Sequence, residues 1–184
     1  MLEFARSYGV TELKAATNAS IDRMLALIAG MSDAQVTLLP HDPHANDPDA
    51  VAGEEHIGWS LAHLIVHVTA SAEEWAGYSA TLARGIPYPA EPRLRYETHW
   101  QDITTYAQCV QRLEESRRMR LAFLDAWPDA PNLNTLRGLS ERFIERFGPM
   151  NAPAAFLFGL RHEIGHYEQF VEVARQAKEA AAPA

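Results

Sequence analysis

The string His162-Glu163-Ile164-Gly165-His166 sets two imidazoles four residues apart with a carboxylate between them. On a helix, residues at that spacing stand one above the other, so both rings can reach a single metal ion. With the intervening Glu as general base, a string of this form performs the hydrolysis of zinc peptidases. That chemistry needs a third ligand, which the metzincin pattern supplies by a Gly three positions and a His six positions after the second His. Gln169 and Glu172 occupy those positions here. Glu172 and Glu179, the acids further on, continue the same helical stretch, and no strand pattern is present to bind a peptide. A zincin peptidase is therefore not expected. Glu163, rotated by about 100° from His162 on a helix, is expected to be a surface charge or a neighbour's contact rather than a general base.

The remaining donors must then lie upstream, where His63 and His67 form the other pair at four-residue spacing. Both pairs fall at comparable depths in long helical stretches, which suits either parallel or antiparallel packing of the two. Glu74 and Gln169 continue the same stripes and are expected to orient a ligand or a bound water. His63 is read as a hydrogen-bonding neighbour of the site, with a fourth ligand and a core histidine as alternatives. His41, His44, His56 and His99 are read as surface residues.

Four long stretches with apolar residues at helical spacing carry these groups. The first runs from about Thr11 to Met31, with Leu13, Ile21, Met24, Leu25 and Ile28 on one side. The second, about Gly58 to Arg84, aligns Trp59, His63, His67, Ala70 and Glu74. The third, about Trp100 to Trp127, has Tyr106, Val110, Leu113, Leu121 and Leu124 as its expected buried face. The fourth starts at Asn151, an N-cap ahead of Pro153, and is expected to run unbroken to about Lys178. A short amphipathic piece, Leu136 to Phe147, precedes it. Four long helices and one short one predict an all-α four-helix bundle. Two long connections separate the stretches. Ser32 to Ile57 reads as a solvated loop with a lid as the alternative, and Gly85 to His99 is long enough to cross the length of a bundle.

Composition narrows the function further. At 184 residues one domain is expected, residues 1–178, followed by a flexible tail at 179–184. A net charge of −8 opposes nucleic acid as the main partner, because phosphate binding needs a clustered basic surface. Arg137, Arg142 and Arg146 lie among Glu141 and Glu145, a solvated charged helix face for which an anion-binding rim is the alternative. No stretch has the roughly 18 apolar residues that a membrane span needs. One cysteine, Cys109, precludes an internal disulfide and reads as a core residue. Without a signal-like apolar run, a cytoplasmic location is expected.

Trp59 followed eight positions later by His67, together with His162 and His166 in the last long helix, resembles the DinB-like (YfiT-like) superfamily of metal-binding helical bundles. The likeness spans about Thr11 to Lys178. It implies an up-down-down-up bundle with its crossover between the second and third long helices. It also implies one divalent metal held by His67, His162 and His166 at the mouth of a pocket. Relatives of this kind include bacillithiol- and mycothiol-dependent S-transferases, maleylpyruvate isomerase and metal-dependent hydrolases. Three imidazoles leave a coordination position open, as catalytic sites do. The donor set suits zinc or nickel, with iron or manganese as alternatives. The resulting expectation is a metal-dependent enzyme that activates a low-molecular-weight thiol for transfer to a small electrophile. Hydrolysis of a small molecule is the alternative reaction, and a metal-stabilised, non-catalytic dimeric bundle the alternative role. A small-molecule substrate and a second copy of the chain are the expected partners, and neither nucleic acid nor membrane is.

Overall fold

In a computed structural model, residues 2–47, 50 and 52–181 are described. Among them no strand occurs. The helices are α1 (Leu2–Ala5), α2 (Val10–Ile28), α3 (Asp33–Val36), α4 (Leu61–Ala83), α5 (Tyr106–Asp125), α6 (Glu141–Phe147), α7 (Ala152–Gly165) and α8 (Tyr167–Ala180), with one 3-10 turn at Trp100–Asp102. The chain is all-α, as its periodicity predicts. No helix among the described residues is long and apolar enough to cross a membrane.

Caps set the boundaries. The Ser60 hydroxyl accepts from the amide of His63, so α4 begins after Trp59 rather than at Gly58. Asn151 accepts from Ala154 and Pro153 occupies the first turn, which starts α7 where the sequence places it. Gly85, at φ +79°, ends the second long helix in a left-handed conformation that favours glycine. Two further helices, α1 and α3, span four residues each, too few to give a periodic signal in the sequence. The expected tail lies partly outside the described residues, at 182–184, and α8 continues to Ala180.

The helix α4 is buried on almost every side, as an element surrounded by others must be. It packs against α7 and α5, and α2 packs against α5 and α7. The 84–105 connection covers another part of α4, through Tyr88 on Tyr78 and Arg93 on Glu74. At Gly159 the two helices lie close, so that an added Cβ would stand 3.0 Å from both Ala72 Cα and Trp75 Cβ. Glycine there lets the α7 backbone rest on α4, close to His162. The apolar interior falls into two clusters: one around Trp75, Tyr78, Phe156 and Leu160, the other around Met24, Leu64, Ile65 and Phe170.

Two expectations are corrected by the packing. The last long stretch is not one helix but breaks at His166, φ −94° and ψ −3°, whose amide turns back to Glu163 O at 3.0 Å. The break follows Gly165, a weak helical position, and the carbonyl of His166 then starts α8 by accepting from Phe170 N at 2.9 Å. The buried face of α5 is also rotated from the expected one. Cys109, Leu113, Ser116, Arg120 and Leu124 point inward, whereas Tyr106, Val110 and Leu121 are half-buried. Apolar content alone misplaces this face because one of its buried members is an arginine.

Candidate metal centre

His67, in the second turn of α4, meets His162 near the end of α7 and His166 at the break. One ring nitrogen from each lies within 4.8 Å of the others. His67 Nε2 and His162 Nε2 are 3.3 Å apart, and the ring centroids are separated by 4.8–5.2 Å. A tetrahedral ion with nitrogen ligands at about 2.0–2.1 Å sets its donors about 3.3–3.4 Å apart. The contact between the first two donors matches that spacing.

The outward nitrogens are held in a way that directs lone pairs inward. His67 Nδ1 faces Glu97 Oε1 at 3.4 Å. Arg95 Nη2 lies 3.2 Å from the same nitrogen, but its two protons are accounted for by the carbonyl of His67 and by Glu97 Oε2. Nδ1–H is thus left to donate to Glu97, and Nε2 carries the lone pair. His166 Nδ1 stands 2.9 Å from Gln169 Oε1, an acceptor that fixes the same tautomer. His162 Nδ1 is buried with no partner.

Burial disfavours the charged form of two of the three imidazoles. Burial, then repulsion from His67 and His166, pushes His162 from 6.5 to about 3. His166 is lowered chiefly by burial, against the opposing effect of the bond it donates to Gln169. Glu97 is held down at about 2: burial would raise it, but its bonds with His67 and Arg95 prevail. Two imidazoles whose charged forms burial disfavours, and a third backed by an ionised carboxylate, make a donor set suited to a divalent ion.

Trp59 roofs the triad, its ring 4.6 Å from His67 and 5.9 Å from His166, and stacks on His63 at 4.4 Å. Trp100 covers the other face of His63 at 5.1 Å. A cavity of about 530 Å³ opens beside His67, between Trp59, Arg93, Arg95, Glu97, Glu54 and Trp100. Its walls come from both long connections. From the first connection, Asp47, Ala50, Glu54 and Ile57 form part of the wall, and Trp100 Nε1 and Gln101 Nε2 donate to Glu54 at 3.2 and 2.9 Å.

Of the residues expected at the site, His67, His162 and His166 converge and Gln169 supports His166. His63 borders the cavity as the middle of an aromatic stack, with Nδ1 buried and unpartnered. Burial, then His67, lowers it to about 4. Glu74 is held elsewhere: Tyr78 OH and Arg93 Nε donate to Oε1 at 2.7 and 2.8 Å. His56 and His99 are both exposed, as expected; His56 Nδ1 contacts Ala45 O, and His99 also borders the cavity. Cys109 is buried, which drives its thiol to about 12 and marks a core residue.

Glu163 corrects the surface reading. It is fully buried, and its Oε2 accepts from Arg120 Nη1 at 3.0 Å and Ser20 Oγ at 2.7 Å. Ser20 also bonds Tyr167 OH at 2.6 Å. The carboxylate therefore joins α2, α5, α7 and α8 behind the triad. Arg95, Glu97 and Arg120 give no signal in the sequence, since the first two sit in an aperiodic connection and Arg120 resembles a solvated charge; Trp100, expected to open the third long helix, lies instead in a 3-10 turn ahead of α5, which starts at Tyr106.

No curated protein and no solved structure matches the chain. A family sequence model, described as DinB superfamily, matches residues 16–170.

Proposed function

The chain belongs to the DinB superfamily, and on that premise we propose that it is a metal-dependent enzyme that activates a thiol for S-transfer to a small electrophile. The observation that carries this reading is three converging imidazoles beside an open cavity. Structural zinc sites are normally closed by four protein ligands, whereas catalytic sites keep a position free. His67, His162 and His166 would hold one divalent ion, zinc or nickel by preference for an all-nitrogen set, with iron or manganese as alternatives. Such an ion supplies positive charge that lowers the pKa of a thiol or water brought to it.

The chain's own residues do the rest. Glu97 and Gln169 hold the outward protons of His67 and His166. Trp59 and Trp100 limit water around His63 and the triad. Arg93 and Arg95, paired with Glu74 and Glu97, give the cavity wall polar N–H groups without net charge. In the transfer, the thiol's proton passes to water in the open cavity, the sulfur bonds the electrophilic carbon, and the leaving group departs with the electron pair of its broken bond. Hydrolysis of a small molecule is the second reading, favoured by Glu54 and Gln101, which give the same cavity a polar wall suited to water.

Residue pairs also support an up-down-down-up four-helix bundle. His67 meets His162 and Ala72 meets Gly159, a descending match between α4 and α7. Thr69 meets Arg112 and Gly77 meets Phe123, an ascending match between α4 and α5. Lys14 meets Asp125 and Asp22 meets Arg117, so α2 descends against α5.

The test is a panel of low-molecular-weight thiols with a chromogenic aryl halide, and separately a nitrophenyl ester, using metal-loaded protein. Thiol consumption abolished by chelation and by His162→Ala supports S-transfer, and ester cleavage with the same dependence supports hydrolysis. Metal-loaded protein that activates neither contradicts an enzyme of this class.

A further inference from the structure

Arg137 is a buried cation for which the described residues supply no ion pair. It is 7 % exposed, and its Nε has no hydrogen-bond partner. Its guanidinium lies over Tyr78 at 3.6 Å and over Trp75 at 4.5 Å. These rings replace part of the lost hydration but bring no negative charge. Glu74, whose field it feels, is already held by Arg93 and Tyr78. Arginine cannot shed its proton to escape burial, so the charge persists.

The same guanidinium lines a cavity of about 360 Å³ that extends to His162. Trp75, Phe143 and Phe158 form an apolar wall, their rings in mutual contact at 4.6–5.8 Å. Of the other charges on the wall, Arg93 is paired with Glu74 and Arg95 with Glu97. Glu91 is exposed and caps the amide of Arg93 at 3.0 Å. The cavity therefore offers one unneutralised guanidinium fork, a sheet of aromatic surface, and an end that reaches the histidine triad. Arg142 and Arg146, which the sequence groups with Arg137, are exposed.

We propose that this cavity binds a small carboxylate with an apolar body, the carboxylate on Arg137 and the body against Trp75, Phe143 and Phe158. A planar carboxylate matches the guanidinium fork in two parallel bonds. The far end of the ligand then lies at His162. Identifying this ligand as the substrate rests on the metal-enzyme reading; the binding itself does not.

Calorimetric titration with phenylacetate and with phenylacetamide, its neutral counterpart, tests the proposal on metal-loaded and on chelator-treated protein. The expected result is a preference of about tenfold or more for the carboxylate in both samples. Arg137→Gln is expected to bring the carboxylate down to the amide's level with metal content unchanged, and Arg142→Gln to leave the preference intact. Equal affinity of the wild-type protein for acid and amide overturns the proposal whether or not the variants fold. Selectivity that vanishes on chelation also overturns it, because the metal rather than Arg137 would then hold the acid. Selectivity that survives in a protein binding no metal upholds this site and contradicts the metal centre.

Discussion

Glu163 and Arg120 form an ion pair of 3.0 Å in the interior of the protein, with both side chains essentially inaccessible to water. Glu163 follows His162 directly in sequence but leaves α7 on another side, so the carboxylate that a peptidase would use as a base is spent on packing. One oxygen of Glu163 and one terminal nitrogen of Arg120 remain without partners. Removing either member strands the other as a buried charge. Glu163→Ala is expected to cost about 3–5 kcal/mol of stability by urea denaturation, and an apolar replacement of both residues to recover most of it. A loss below about 1 kcal/mol in Glu163→Ala would show that the pair does not hold the helices together.

Glu97 acts on the centre through the His67 ring. Glu97→Gln keeps the shape but removes the charge that holds the Nδ1 proton. Metal affinity, measured by competition with a chelator, is expected to fall about 10- to 100-fold, with Gln169→Ala showing a loss in the same direction through His166. Unchanged affinity in both variants would mean that the outward nitrogens need no fixing.

Gly159 sets the distance between the helices that carry His67 and His162. Gly159→Val forces branched carbon into a gap already at 3.0 Å from the α4 backbone. Destabilisation of about 1–3 kcal/mol is expected, together with weaker metal binding as the two imidazoles separate. Wild-type stability in this variant would contradict the close packing of α7 on α4.

The metal-free protein is expected to lose stability in mild acid. Burial first, and then the neighbouring His67, lowers His162 to about 3 and His63 to about 4 from 6.5. Below pH 6.5 the unfolded chain takes up protons that the native centre refuses. Stability therefore falls as pH drops from 6.5 toward those lower values, and is regained on returning above 6.5. Denaturation midpoints of chelated protein between pH 6.5 and about 5, above the carboxylate range, isolate this effect. A midpoint that stays level over that interval contradicts neutral, buried imidazoles.

How far the sequence reveals this molecule depends on the kind of signal each residue gives. Helical periodicity and caps such as Asn151 locate the long helices, and two His pairs at four-residue spacing mark the centre. The break at His166 escapes that pattern because a one-residue turn hardly disturbs the apolar spacing on either side. Arg120 and Glu163 escape it because a buried ion pair has the composition of a surface. Glu97 and Arg95 reach the site from a connection of about 20 residues with no period to read, and only the folded chain lays that connection along α4.

His67, ninety-five residues before His162, is expected to share one metal ion with it and with His166. Elemental analysis of the purified protein, beside His67→Ala and His166→Ala, tests this most directly. About one divalent ion per chain is expected in the wild type and almost none in either variant, with helical content preserved by circular dichroism. Wild-type metal content in His67→Ala would contradict the three-histidine centre.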